Sequence, residues 1–163
     1  MRPSAARRPF ITGIALIIAP LLGLGLKMLS FGWAMVFVIF SGIAFVLAIG
    51  YVVQIVIAAQ GFLSKRALFN GGPRRAFIAA WLSIAGVIMM GLFMTDGGDM
   101  EWGSTLQIWL GAHGENSDAV HAATGTLTQV LTFLSLAIWL AGWVWLVVEW
   151  ILGLVRRRRL ARP

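Results

Sequence analysis

The chain has 163 residues, 60% of them hydrophobic and 12% charged, and a mean hydropathy of +0.88, which excludes an ordinary water-soluble domain. Thirteen Lys and Arg against six Asp and Glu give a net charge of +7. The basic runs flank apolar stretches and lack the interleaved aromatics of a nucleic-acid platform, so they point to membrane topology and anionic lipid headgroups, with no nucleic acid as partner.

Cysteine is absent, which removes thiolate metal sites, thiol nucleophiles and disulfides from consideration. The preference for Arg over Lys, with abundant Ala and Gly, fits the coding bias of a GC-rich bacterial genome.

Crossing a hydrocarbon core of ~30 Å takes about 20 apolar residues in a helix. Four segments meet this length, and their continuous apolar runs predict helices in preference to alternating barrel strands, hence an all-α, four-span helical bundle forming a single transmembrane domain over 1–163. The first span covers 10–28. Arg2, Arg7 and Arg8 precede it as in a signal peptide, but no A-x-A-like cleavage site follows, and the reading is an uncleaved anchor. The second covers 31–59, and its 29 residues predict a helix of about 43 Å that tilts or projects and ends near Asn70, Gly71, Gly72 and Pro73.

The third span covers 76–94. A loop over 95–125 follows, carrying Asp96, Asp99, Glu101, Glu115 and Asp118 with no Lys or Arg. Within it Trp102, Leu106, Trp109 and Leu110 share one helical sector, which predicts a short amphipathic helix over 102–110 lying at the bilayer interface, with Gly103, Ser104 and Gln107 pointing elsewhere. The fourth span covers 126–155, and Asn116 or Ser117 can cap a helix that begins before it.

Arg2, Arg7 and Arg8, then Lys65, Arg66, Arg74 and Arg75, then Arg156 to Arg159 with Arg162 fall on one side of a four-span chain, leaving only Lys27 opposite. The positive-inside rule therefore predicts a multi-pass protein of a bacterial inner membrane, both termini cytoplasmic, in contact with anionic headgroups on that side.

Small residues four apart mark helix interfaces in lipid. Ala15, Ala19 and Gly23 form such a stripe on the first span and Ser41, Ala44 and Ala48 on the second; a short connection predicts that the two stripes pack together, or else serve as a homodimer seam. Pro20 predicts a kink. Glu149, with Gln54 and Gln129, supplies polar character inside the spans, and Glu149 is expected to pair with a basic side chain near the inner boundary. His113, Glu115, Asp118 and His121 are the candidate metal ligands, at a spacing no zinc or haem motif uses. Asp96, Gly97, Gly98 and Asp99 read as a turn in preference to a calcium loop.

No phosphate-binding loop, nucleophile elbow, dinucleotide fingerprint or triad occurs, so neither catalysis nor a cofactor is expected. The composition is that of a non-catalytic accessory or assembly subunit of a larger membrane complex, with a membrane protein or a second copy as partner. Two alternatives stand beside it: a small oligomeric transporter or channel using Gln54, Ser83, Gln129, Ser135 and Glu149, and an envelope sensor reading through the loop at 95–125.

Overall fold

The computed structural model describes residues 4–69, 74–98, 102–112 and 114–160. The chain forms α1 (Ser4–Met28), α2 (Trp33–Phe40), α3 (Ile43–Ala58) continued by a π turn (Ala59–Leu63), and α4 (Arg74–Phe93). A two-residue strand pair then joins β1 (Asp96–Gly97) antiparallel to β2 (Trp102–Gly103), followed by α5 (Thr105–Trp109), a 3-10 turn (Gly114–Asn116) and α6 (Ser117–Leu160). Four of these helical segments are long and apolar enough to cross a membrane: Arg8–Met28, Ile43–Leu63, Arg74–Phe93 and Gly114–Leu160.

The second span departs from the expected continuous helix. Gly42 adopts φ +79, a left-handed conformation that glycine enters without the Cβ clash, and it ends α2 and starts α3 in a new direction. The excess length is thus absorbed by a break at Ser41 and Gly42, with only Ile43–Leu63 left to span. At its far end the helix stops at Leu63, before Asn70 to Pro73, which lie outside the described residues.

α1 and α4 form the central pair, with α6 laid along α4 and the second half of α3, with its π turn, laid on α1. Leu16, Ala19, Ile57, Ala58, Phe62, Phe69, Ala76, Ala79, Ala80, Ile84 and Leu146 make one core, placed toward the end of the molecule that carries Arg8, Lys65, Arg66, Arg74 and Arg75, here the basic end. Phe62 anchors it, its ring centroid 5.0 Å from that of Phe69 and 5.3 Å from that of Phe77.

In an apolar solvent helices associate by close approach, because burying another methylene gains nothing over lipid. The contacts show how close. A Cβ placed on Gly23 would lie 2.6 Å from the Val87 carbonyl oxygen, and one placed on Gly91 would overlap the Gly23 carbonyl. On the other side of α4, a Cβ on Gly86 would lie 2.5 Å from the Trp139 backbone nitrogen, and one on Gly142 2.6 Å from that of Ser83. Ala19 and Gly23 therefore pack on α4, not on the Ser41, Ala44 and Ala48 stripe. Ser41 and Ala48 are exposed and Ala44 half-buried, because the break at Gly42 carries that stripe away from α1.

Candidate functional site

The end opposite the basic one is organised around a buried ion pair. Lys27 lies in the last turn of α1 and Asp96 three residues beyond the end of α4, with Lys27 Nζ 3.5 Å from Asp96 Oδ2 and side chains 4% and 1% exposed. A pair removed from water to this degree persists only if its remaining donors and acceptors are filled. Here they are. Lys27 Nζ also donates to the Ser30 carbonyl at 2.9 Å, to Ser30 Oγ at 3.1 Å and to the Met94 carbonyl at 3.1 Å, so the ammonium sits where two helices present their partly negative C-terminal ends.

Asp96 in turn faces a helix N-terminus. Its carboxylate accepts from the backbone N–H groups of Gly32 at 3.1 Å, Ala34 at 2.8 Å and Met35 at 3.1 Å, and so serves as the N-cap of α2 from a distant part of the chain. Gly32 makes the approach possible, since a Cβ there would lie 2.6 Å from Asp96 Oδ1. Burial alone would raise the pKa of Asp96. The N–H groups of Ala34, Gly97 and Met35 and the Lys27 charge outweigh that effect and hold the carboxyl below its usual range.

The loop end is tied down by the same logic. Thr105 Oγ1 donates to the Leu26 carbonyl at 2.6 Å and lies 3.2 Å from Ser30 Oγ, while Thr132 Oγ1 donates to the Phe93 carbonyl at 2.8 Å. α5 begins with a capping box: the Gln107 N–H donates to Ser104 Oγ and the Ser104 N–H to Gln107 Oε1. Gln107 Nε2 then donates to Thr124 Oγ1 at 3.0 Å, fastening α5 to α6. The helix expected over 102–110 is thus shorter, because Trp102 and Gly103 pair with β1 and Ser104 is the cap. Trp102, Trp109 and Leu110 are exposed as a surface-lying segment requires, whereas Ser104 and Gln107 are buried as its anchor.

From this knot an arm departs. α2 leaves with its N-terminus on Asp96, and every residue from Ile39 to Ile49 except Ala44 is exposed. Phe40 reaches 84%, Phe45 71% and Val46 67%, so among the described residues the first half of α3 is covered only lightly by the rest of the chain. The second half returns to α1 at Tyr51 and Gln54. Pro20 has no N–H, which leaves the Leu16 carbonyl without its helical donor, and Gln54 Nε2 supplies the bond at 2.7 Å. Tyr51 Oη donates to the next carbonyl, Ile17, at 2.8 Å.

The remaining polar candidates are dispersed. Gln54 is spent on α1, Ser135 donates to its own helix at Leu131, Ser83 lies in the α4–α6 seam, and Gln129 is exposed. Glu149 is buried and accepts from the Trp145 indole at 3.3 Å, and no ion pair joins it to a basic side chain among the described residues; the expected pairing is replaced by an indole hydrogen bond, because Arg156 and Arg157 lie two turns further along α6. Of the candidate metal ligands, Glu115 and Asp118 are exposed, His121 is buried against the Trp102 ring at a centroid distance of 3.7 Å, and His113 lies outside the described residues. Among the described residues no three His, Asp or Glu side chains come together as a metal site.

The Lys27–Asp96 pair escapes a reading of the sequence, since nothing local links positions so far apart. Two signals were present in the letters. Ser104-x-x-Gln107 is a capping box, and α4 carries small residues at Ala76, Ala79, Ala80, Ser83, Gly86 and Gly91.

Comparison with family models, with curated proteins and with solved structures finds no match to this chain.

Proposed function

We propose that this chain is a non-catalytic, multi-pass protein of a bacterial cytoplasmic membrane, both termini cytoplasmic, acting as an accessory or assembly subunit of a larger membrane complex. One observation carries the reading: from Ile39 to Ile49 every residue of the arm but Ala44 is exposed, yet the root of α2 is fixed by a buried ion pair. A segment that served only to cross the bilayer would lie along its neighbours, as α4 and α6 do. Holding the arm away from them costs intramolecular packing and leaves Ser41 and Ala48 exposed, small residues that let a helix of another chain approach closely. Orientation follows from the basic residues gathered at one end.

The test is affinity purification of the full chain in mild detergent with identification of the chains that accompany it, wild type beside Ala48→Leu. A specific partner captured by the wild type and lost from the variant is expected. A lone monomer that supports ion flux in liposomes would overturn the subunit reading. Orientation is tested by thiol labelling of intact cells: Arg66→Cys and Arg158→Cys should be protected from an impermeant reagent, and the reverse pattern would refute the topology.

A further inference from the structure

At the basic end, α6 and the segment following the π turn face each other across a cleft of about 280 Å³. Its α6 wall is a single stripe of the helix, Glu149, Gly153, Arg156 and Arg157, spaced by four, three and one. The opposite wall carries Arg66, Leu68 and Phe69. Backbone bonds fix that wall, the N–H groups of Leu68 and Phe69 donating at 3.0 Å each to the carbonyls of Gln60 and Gly61 in the π turn.

The four charged groups are unequal. Arg66, Arg156 and Arg157 are exposed, whereas Glu149 is 9% exposed and has the Trp145 indole as its hydrogen-bond donor at 3.3 Å. No ion pair joins Glu149 to any of the three arginines. A carboxylate buried among apolar groups calls for a cation or strong donors, while guanidinium forks call for an oxyanion. Leu68 and Phe69 add an apolar floor beside the charges.

We propose that this cleft binds a phospholipid with a phosphoethanolamine head, the phosphodiester on Arg66, Arg156 and Arg157 and the primary ammonium on Glu149. The buried group sets the preference. A primary ammonium offers three N–H donors to the carboxylate, a choline head offers a cation with none, and a purely anionic head leaves Glu149 without a cation. The proposal rests on the basic end meeting a phospholipid surface and is independent of what binds the arm.

The experiment titrates the full chain, delipidated in mild detergent, with phosphatidylethanolamine, phosphatidylcholine and phosphatidylglycerol of identical acyl chains, reading binding by native mass spectrometry. The ethanolamine lipid should bind about tenfold tighter than either of the others, the scale of one charge-assisted hydrogen bond. Glu149→Gln should abolish that preference while leaving phosphatidylglycerol binding unchanged, and the pair Arg156→Gln with Arg157→Gln should weaken all three. Equal or tighter binding of phosphatidylglycerol by the wild type, or a preference that survives Glu149→Gln, would overturn the proposal. Free glycerophosphoethanolamine at the same concentration should not compete, and full competition would overturn the lipid assignment in favour of a soluble phosphate ester. The wild-type comparison decides the matter even if Glu149→Gln fails to fold.

Discussion

The pole formed by α1, α4 and α6 and the arm formed by α2 and the first half of α3 are both built from strongly apolar sequence, yet one is packed and the other is not. Apolarity therefore does not distinguish them. The pole is joined where Gly23 meets Val87, where Gly91 meets Gly23, and where Gly86 and Gly142 admit the backbones of Trp139 and Ser83. The arm exposes Phe37, Phe40, Phe45 and Val46, bulky side chains that keep neighbours at a distance, and its root is held by the Asp96 cap and the buried Met35. In a bilayer, close backbone approach and filled polar groups decide which helices stay together, because lipid tails already solvate the rest.

The contrast is broken most severely at the root. Asp96→Asn removes the counter-charge from a buried ammonium and should cost about 3–5 kcal/mol, seen as a large fall in thermal stability in detergent and as protease access to the segment around Gly42. A fall no greater than that of an exposed substitution would show that the pair does not hold the arm. The same carboxylate predicts a pH dependence. Its pKa is lower in the folded protein than the unfolded value near ~3.9, so its contribution is fully present above about pH 4 and is lost as pH falls through the folded value. Thermal melts at descending pH should show this loss in the wild type, and Asp96→Asn should flatten it.

Within the pole, Ala19→Leu and Gly142→Val should each cost about 1–3 kcal/mol, because the added carbons meet another helix. At the junction of pole and arm, Gln54→Leu strands the Leu16 carbonyl and should cost about 1–3 kcal/mol. Pro20→Ala restores a helical donor to that carbonyl, so in the double variant Gln54→Leu should cost less than it does alone, a coupling measured by a double-mutant cycle. Strict additivity would dismiss the link between Pro20 and Gln54. Smallest of all, Ala48→Leu on the arm should change the stability of the isolated chain by less than about 0.5 kcal/mol while still affecting partner capture. A destabilisation comparable to that of Ala19→Leu would mean that the arm packs within its own chain.

The four spans were legible because twenty apolar residues in a row have few other uses. The stripe on α1 was legible too, but its partner was not, since short connections favour sequence neighbours and the break at Gly42 defeats that rule. Gly42 itself looked like any glycine in an apolar run, and only its backbone angle marks it. The loop at 95–125 was read from side-chain sectors, which separate Trp102, Trp109 and Leu110 from Gln107 but give no sign of the capping role of Gln107, since that depends on position, not polarity. Lys27 stood out as the lone basic residue at its end and Asp96 as one of five acidic residues in the loop, but their meeting is a property of tertiary structure.

α6 runs without interruption for 44 residues, about 66 Å and twice the ~30 Å thickness of a bilayer's hydrocarbon core. It contains no proline, and its tightest fit lies near its middle, at Trp139 and Gly142 against α4. Tilting it about Gly86 and Ser83 would carry Thr124, and the α5 cap bonded to it, in one direction and the Arg156–Arg157 wall of the lipid cleft in the other. The Gln107–Thr124 bond at one end of the molecule and the Arg156–Arg157 wall at the other thus lie on one uninterrupted helix.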